Sequence, residues 1–320
     1  MASPNSTFTE LVSTTFRKHR KEIKDNLSNR NALLKYMMKR GNMRLDDGGL
    51  TIVTPVDYAA NSTYQRYSDW DTLNIAQSDV ISSAEYQWRQ IALNVVASGR
   101  EKRINSGDSR IINLAKAKMK NAIRSFNNSF SSDLYSSGSL TNQINGLQAI
   151  VADVNTNTVG GIDASTWTFW QNTVTDASVL SVTPSATTIE NGLMLPTWLN
   201  LDRGPDDQPD LIVADNTYYT YFEGSQTSIK RYMDSSKANA GFVSLKYKNA
   251  DVIFDGNSGI PTTHMYFINT NYLELVAHTD ADLEIMDGMR PINQDGEVIP
   301  IIWMGNLTCS NRKMQGVIIP

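Results

Sequence analysis

The stretch SGDSRIINLAKAKMKNAIRSFNNSFSSDLYSSG, from Ser106 to Gly138, decides the fold class because it predicts one long amphipathic helix. Ser106, Gly107 and Asp108 offer an N-cap, and Gly138 offers a stop. A helix from about Asp108 to Leu134 would span roughly 40 Å at 1.5 Å per residue. So long a helix needs an extended apolar partner elsewhere in the chain.

The stripe that needs this partner repeats at three- and four-residue steps. It consists of Ile112, Ala115, Met119, Ala122, Phe126 and Phe130. Basic residues occupy the other faces, among them Lys116, Lys120 and Arg124. Because no second long periodic segment offers a coiled-coil partner, we expect the stripe to pack on a β-sheet.

Composition narrows the class of protein. The chain has 320 residues and a net charge of −4, which gives no strong attraction to nucleic acid or membrane. Cys309 is the only cysteine, so no intramolecular disulfide can form. The N-terminus resembles no secretion signal, and the longest apolar run, VIPIIWM near Ile299, is too short for a bilayer. We expect a soluble protein made and kept in a cytosol.

A basic segment precedes the first predicted strand. Between Arg17 and Arg44 there are ten Lys and Arg residues against two acidic ones. Two interpretations stay open for residues such as Arg17 and Arg20. The segment is either a solvated, partly helical arm, or an arm that reaches a neighbouring subunit or a polyanion.

Residues 47–98 predict a long two-stranded hairpin with an elaborate polar and aromatic tip. Tyr86 and Trp88 alternate in one parity, and Ile91 and Leu93 follow in the other, which indicates a bulge or a strand that changes faces. An isolated hairpin of this kind is marginal in water. It therefore needs something else to lie against.

From Pro209 onward the pattern becomes α/β, and the final stretch EVIPIIWMGNLTCSNRKMQGVIIP is strand-like to its end. We expect this returning strand to be the partner of the long helix. Residues 140–200 are harder to interpret, although TTIENGLMLPTWLNLDRG predicts a helix interrupted near Pro196 and TWTFW a core aromatic cluster.

Catalytic signatures are absent from the sequence. The three histidines are scattered, one cysteine cannot form a metal cluster, and no phosphate-loop, dinucleotide, zinc-protease or nucleophile-elbow motif occurs. We expect His264 to be a hydrogen-bonded strand residue. The sequence therefore predicts a non-enzyme without cofactor or metal.

Three phrases carry a resemblance to a known family. They are NSTYQRYSDWDTLNIAQSDVISSAEYQWRQIALNVVASGREKRINSG at residues 61–107, MYFINTNYLELVAH at residues 265–278, and PINQDGEV with WMGNLTCSNRKMQGVI within residues 291–318. With the order of basic arm, hairpin, helix, α/β region and returning strand, the chain resembles the tailed-bacteriophage major capsid proteins of the Hong Kong 97 fold.

The resemblance implies an α+β fold with named parts. Residues 1–46 would be the N-arm, 47–100 the extended loop, 101–200 the peripheral domain with its spine helix, 201–290 the axial α/β domain, and 291–320 the return strand. It also implies a subunit of an icosahedral shell around double-stranded DNA, assembled in the host bacterial cytoplasm. Its partners would be copies of itself, portal and scaffolding proteins, packaged DNA and a cement protein, with no membrane.

On this resemblance, we expect the extended loop and arm to contact neighbouring subunits through Arg17, Arg20, Tyr64, Arg66, Tyr67 and Trp70. Lys116, Lys120 and Arg124 would either face packaged DNA or form the solvated side of the helix. Two alternatives stay open: an encapsulin-like cellular shell, and a soluble oligomeric binding protein or unusual hydrolase.

Overall fold

A computed structural model describes residues 31–104, 108–226, 245–255, 259–286, 288–290 and 292–320. The predicted contact residues Arg17 and Arg20 lie outside these ranges. The α-helices of the described part are Ala32–Arg40 (α1), Gly99–Ile104 (α2), Asp108–Leu134 (α3), Leu147–Ile150 (α4), Leu195–Leu201 (α5) and Asn216–Ser225 (α6).

The strands of the same part fall into two large sheets and two short hairpins. They are Met43–Asp46 (β1), Thr51–Asp57 (β2), Ile81–Gln87 (β3), Arg89–Ser98 (β4), Thr158–Val159 (β5), Ile162–Asp163 (β6), Thr173–Asp176 (β7), Leu211–Ala214 (β8), Leu245–Tyr247 (β9), Ala250–Phe254 (β10), Met265–Ile268 (β11), Leu273–His278 (β12), Glu284–Ile285 (β13), Gly296–Cys309 (β14) and Gly316–Ile319 (β15).

Helix α3 has the bounds that the sequence predicts, Asp108–Leu134. Its stripe is buried along the C-terminal half, and the ring of Phe130 meets the ring of Trp303 edge to face with centroids 5.0 Å apart. Trp303 belongs to β14, so the predicted sheet partner of the helix is confirmed. Such an aromatic contact adds to the free energy gained by burying the two rings.

Strand β14 is the centre of a five-stranded sheet. It pairs antiparallel with β4 over ten residues, from Gly296 opposite Ser98 to Gly305 opposite Arg89. Its C-terminal end pairs with β12, which is parallel to β1, and β13 lies on the edge opposite β4. The long strand thus joins the root of the hairpin to the sheet under α3.

The second sheet has six strands in the order β7-β15-β11-β8-β10-β9. One face carries α5 and α6 through Trp198, Tyr218 and Phe222, all of which are buried. A π-helix, Ile189–Met194, runs without a break into α5, which has Pro196 in its first turn. The predicted interruption is therefore wrong. Pro196 cannot donate a backbone hydrogen bond, and the helix changes from π to α geometry directly before it.

The strands of the two large sheets do not follow the predicted domain boundaries. Strand β7, from the range 101–200, and β15, from the range 291–320, both join the six-stranded sheet. Strand β12, from the range 201–290, joins the five-stranded sheet instead. The predicted single return strand is thus two strands in two sheets. Apolar strand patterns show that a strand is buried, but they do not show which sheet it enters.

Part of the predicted N-arm is folded onto its own chain. Helix α1 begins at its N-cap Asn31, whose side chain accepts a 2.8 Å hydrogen bond from the Leu34 backbone N–H. Leu33, Leu34 and Met37 are fully buried in the core shared with α3. The picture of an arm without its own partner therefore fails for residues 31–46, because ALLKYMM supplies an apolar face amid the basic residues.

Arg312, between β14 and β15, is fully buried. Its guanidinium donates to the carbonyl oxygen of Ile150 at 2.7 Å, to the side-chain oxygen of Asn157 at 2.7 Å and to that of Asn172 at 3.0 Å. Burial lowers the pKa of Arg312, yet a guanidinium stays protonated at neutral pH. The charge is thus satisfied by neutral oxygens, and it ties the segment 150–172 to the C-terminal strands.

We predict that Arg312→Lys lowers the free energy of unfolding by about 2–4 kcal/mol, because one ammonium cannot reach all these acceptors and leaves some unpaired. Urea unfolding of the unassembled protein measures the change. Lys313→Ala, at the exposed neighbouring position, is the control and should change the same quantity by less than about 0.5 kcal/mol. Equal effects of the two substitutions would contradict the role assigned to Arg312.

Candidate inter-subunit surface

The hairpin has a regular stem. Strands β2 and β3 pair antiparallel over seven residues, from Thr51 opposite Gln87 to Asp57 opposite Ile81. Trp88 separates β3 from β4, which turns away to pair with β14. The predicted change of face near Trp88 is confirmed, and it lets one run of sequence serve two sheets.

The base of the stem packs on its own chain. Buried Ile52, Ala84 and Tyr86 lie in one cluster with Val159 and Trp170, on and beside the β5–β6 hairpin. The Tyr86 hydroxyl donates to the carbonyl oxygen of Cys309 at 2.8 Å, and burial raises the pKa of Tyr86. The expectation that the hairpin finds its partner only on other subunits is therefore wrong for its base.

The tip, residues 58–80, contains no helix or strand. Trp70 is 98% exposed, Ile75 92% and Tyr64 80%, and Arg66 and Tyr67 are also exposed. The structure thus places the four predicted tip residues, Tyr64, Arg66, Tyr67 and Trp70, together in one exposed segment. Their role in contacts between subunits stays a prediction.

Polar contacts give the tip a defined path. The Gln65 side chain donates to the carbonyl oxygen of Thr72 at 3.1 Å and accepts from the Asn74 backbone N–H at 2.9 Å. The Asp71 carboxylate accepts from the Ser68 backbone N–H at 2.8 Å. The Gln65 amide thereby connects the two sides of the tip through Thr72 and Asn74.

The predicted basic residues lie on α3. Lys120 and Arg124 are exposed, and Arg124 donates to the side-chain oxygen of Asn121 at 3.1 Å. Lys116 belongs to α3 as well, but its side chain lies outside what the structure describes. Lys118 forms a 2.9 Å ion pair with Glu101 of α2. Exposure on the helix is compatible with both the DNA-facing and the solvated interpretation.

His264 forms a polar pair next to β11. Its Nε2 lies 3.2 Å from the Asp153 carboxylate, and its Nδ1 lies 2.7 Å from the carbonyl oxygen of Thr262. Burial acts to lower the pKa of His264, but the bonds to Asp153 and Thr262 outweigh it and raise the pKa. These contacts fit the expected hydrogen-bonded histidine, which lies one residue before the strand.

The described residues contain neither a metal-binding cluster nor a membrane-spanning helix. No group of three or more His, Cys, Asp or Glu side chains there is arranged to hold a metal ion. No helix in the same ranges is both long and apolar enough to cross a bilayer.

The β5–β6 hairpin, on which the stem packs, was not predicted from the sequence. TWTFW predicted a core cluster, which is correct for Trp170, buried with its indole N–H donated to the carbonyl oxygen of Val159 at 2.9 Å, and wrong for Trp167, which is 49% exposed. The polar run DVNTNTVGGID, residues 153–163, contains one signal that could have indicated this support, the pair Gly160 and Gly161. Both adopt positive φ, +60° and +74°, in a tight β5–β6 turn. A Cβ on Gly160 would lie 2.9 Å from the Ala84 Cβ, so only glycine lets the turn touch the stem.

Comparisons with known proteins were made by sequence and by structure. No protein-family model matches the chain, and no curated protein matches it. Solved structures do match. The cyanophage A-1(L) capsid asymmetric unit is 15% identical, with 88% of this chain and 91% of that chain covered and a TM-score of 0.63.

Two further matches come from other particles. The capsid of the native GTA particle is 10% identical, with 87% and 88% of the two chains covered and a TM-score of 0.54. The SrpI encapsulin of Synechococcus elongatus is 9% identical, with 88% and 86% covered and a TM-score of 0.51. Likeness at such low identity shows the fold alone. The chain is an α+β protein with the Hong Kong 97-type fold of phage capsid proteins.

Proposed function

We propose that the chain is the major capsid protein of a tailed phage, a subunit that assembles into an icosahedral shell around double-stranded DNA. The observation that carries this proposal is the exposed tip on an anchored stem. Monomeric proteins rarely expose several large apolar side chains in one segment without a binding role. In a shell, neighbouring copies of the same chain would cover these side chains.

Hydrogen bonds within the tip hold it in one conformation, and this favours binding to a partner. The bonds made by Gln65 and Asp71 hold the loop before any partner arrives, so less conformational entropy is lost on contact. Aromatic side chains such as Tyr64, Tyr67 and Trp70 are the residue types that dominate binding energy at interfaces. Arg66 beside them adds a charge that fits a carboxylate on the neighbouring subunit.

The chain would carry out no catalytic step in this role. Its place would be the capsid of the virion, with assembly in the host bacterial cytoplasm. Portal, scaffolding and cement proteins are proposed partners on the strength of the family resemblance. Lys116, Lys120 and Arg124 would contact the phosphates of packaged DNA, and phosphate contacts carry no direct sequence information.

A second candidate is the encapsulin-like shell, which the likeness to the Synechococcus elongatus encapsulin favours. Both candidates need the same tip contacts and the same closed symmetry. They differ in what the shell encloses, DNA in one case and a protein cargo in the other. The content of purified particles therefore separates them.

We predict that the purified chain forms closed particles of megadalton mass, because its tip is completed only by neighbours. Electron microscopy and light scattering measure the particles, and extraction after nuclease treatment identifies their content. Protected double-stranded DNA supports the phage capsid, and an enclosed protein supports the encapsulin. A monodisperse monomer at high concentration would contradict both.

We predict that Trp70→Ala leaves the subunit folded and raises the concentration needed for assembly about 30-fold, because a buried interface tryptophan is worth about 2 kcal/mol or more. Light scattering across a dilution series measures this threshold. Val179→Ser, at a position 78% exposed outside the tip, is the control and should leave the threshold unchanged. Equal thresholds for Trp70→Ala and the unmodified chain would remove the tip from the interface.

A further inference from the structure

A groove of about 430 Å³ opens between the stem and the β5–β6 hairpin. Tyr58 and Ser83 line it on the stem side, and Asp163 and Trp167 line it on the side of the hairpin. Its volume lies within the range of small-molecule sites, about 300–1,000 Å³. Because one chain supplies every wall, a ligand bound in this groove would need no second copy of the protein.

Three aromatic rings form one wall of the groove. The ring of Tyr58 lies 5.8 Å from that of Trp167 and 6.0 Å from that of Phe169, measured between centroids. Rings in such direct contact leave no room for a ligand between them, so a ligand would lie across their exposed surface. Trp167 is about half exposed and therefore accessible. Such a wall fits an apolar chain, and it attracts a cation, most strongly over tryptophan.

Two carboxylates flank the aromatic wall. The Tyr58 hydroxyl donates a hydrogen bond to the Asp79 carboxylate. Asp163 begins the turn that leads to Trp167, whose backbone N–H donates to the Asp163 carbonyl oxygen at 2.9 Å. Within the described chain, the lining of the groove includes no Lys, Arg or His side chain. The groove therefore has a negative potential, which repels nucleic acid and other anions and attracts cations.

The hydrogen bonds of Asp163 select the kind of cation. Its Oδ1 accepts from the Ser165 backbone N–H at 2.9 Å and from the Ser165 hydroxyl at 2.7 Å, and its Oδ2 accepts from the Thr166 hydroxyl at 2.9 Å. These bonds lower the pKa of Asp163 and keep it ionised at neutral pH. They also occupy most of its lone pairs, which leaves little capacity to accept from a sugar hydroxyl or to ligate a metal ion. Its charge still attracts an ammonium group nearby.

We infer that this groove binds a linear aliphatic diamine or polyamine, with its methylene chain on the aromatic wall and an ammonium group beside each carboxylate. Two positive charges match Asp79 and Asp163, and the apolar chain between them matches the rings. The hydroxyls of Ser82 and Ser83, which also line the groove, can accept further hydrogen bonds from an ammonium group. The inference is independent of the proposed function, because the site is complete within one chain.

Calorimetric titration of the full chain tests this site. Unassembled subunits are treated with nuclease, so that nucleic acid cannot take up the amine, and are titrated with spermidine, butylamine and butanediol. We expect spermidine to bind at one site, and butylamine to bind about fivefold more weakly because it loses an ion pair. Butanediol, which has no charge, should not bind. No binding of spermidine, or equal binding of spermidine and butanediol, would overturn the inference.

Variants locate the binding in the groove. Asp79→Asn removes one charge and keeps an acceptor for the Tyr58 hydroxyl, and Trp167→Leu keeps an apolar surface but removes the ring face that attracts a cation. Each should weaken spermidine binding about three- to fivefold. Asp206→Asn removes the same charge at an exposed position outside the groove and should leave the affinity unchanged. An unchanged affinity in both groove variants would place the amine elsewhere and contradict the inference.

Discussion

The structure depends on the buried guanidinium of Arg312. This residue follows the end of β14, which belongs to one large sheet, and precedes β15, which belongs to the other. Its bonds to Ile150, Asn157 and Asn172 hold the segment that contains the β5–β6 hairpin. That hairpin supports Ala84 and Tyr86 at the base of the stem. A buried charge with several well-placed acceptors resists local rearrangement, because releasing any one of them leaves an unpaired polar group out of water.

The hairpin therefore has two parts, a stem and a tip, that are held by different interactions. The stem is held by seven residue pairs between β2 and β3 and by an apolar inner face, so its direction is set within the subunit. The tip has only polar bonds of its own and presents Trp70 and Ile75 to solvent. A rigid support that carries an unsatisfied surface is the arrangement expected of a binding element. A hairpin folded flat onto its own subunit would have buried these side chains instead.

Local patterns in the sequence predicted much of this arrangement. The three- and four-residue steps through Phe126 and Phe130 predicted α3 with its bounds, and the parity change at Trp88 predicted a bulge or a change of face. The predicted two-stranded hairpin over residues 47–98 is wrong for β4, which pairs with β14. Features that depend on residues far apart in the sequence were not predicted. Nothing near Arg312 in the sequence indicates that its acceptors lie about 140–160 residues away. Helix α1 was not predicted because basic residues surround its apolar face. The sheet that β12 or β15 joins was not predicted either, because it depends on backbone hydrogen bonding, which every strand can offer equally.

Hydrogen exchange of the amides of residues 61–77, the central part of the tip, tests the central claim most directly, namely that the tip is completed only by neighbouring copies. Exchange followed by mass spectrometry compares the same peptide in dissociated subunits and in assembled particles. The account predicts fast exchange of these amides in subunits and strong protection in particles, with β2 and β3 protected in both. Equal protection of the tip in the two states, whether high or low, would contradict it.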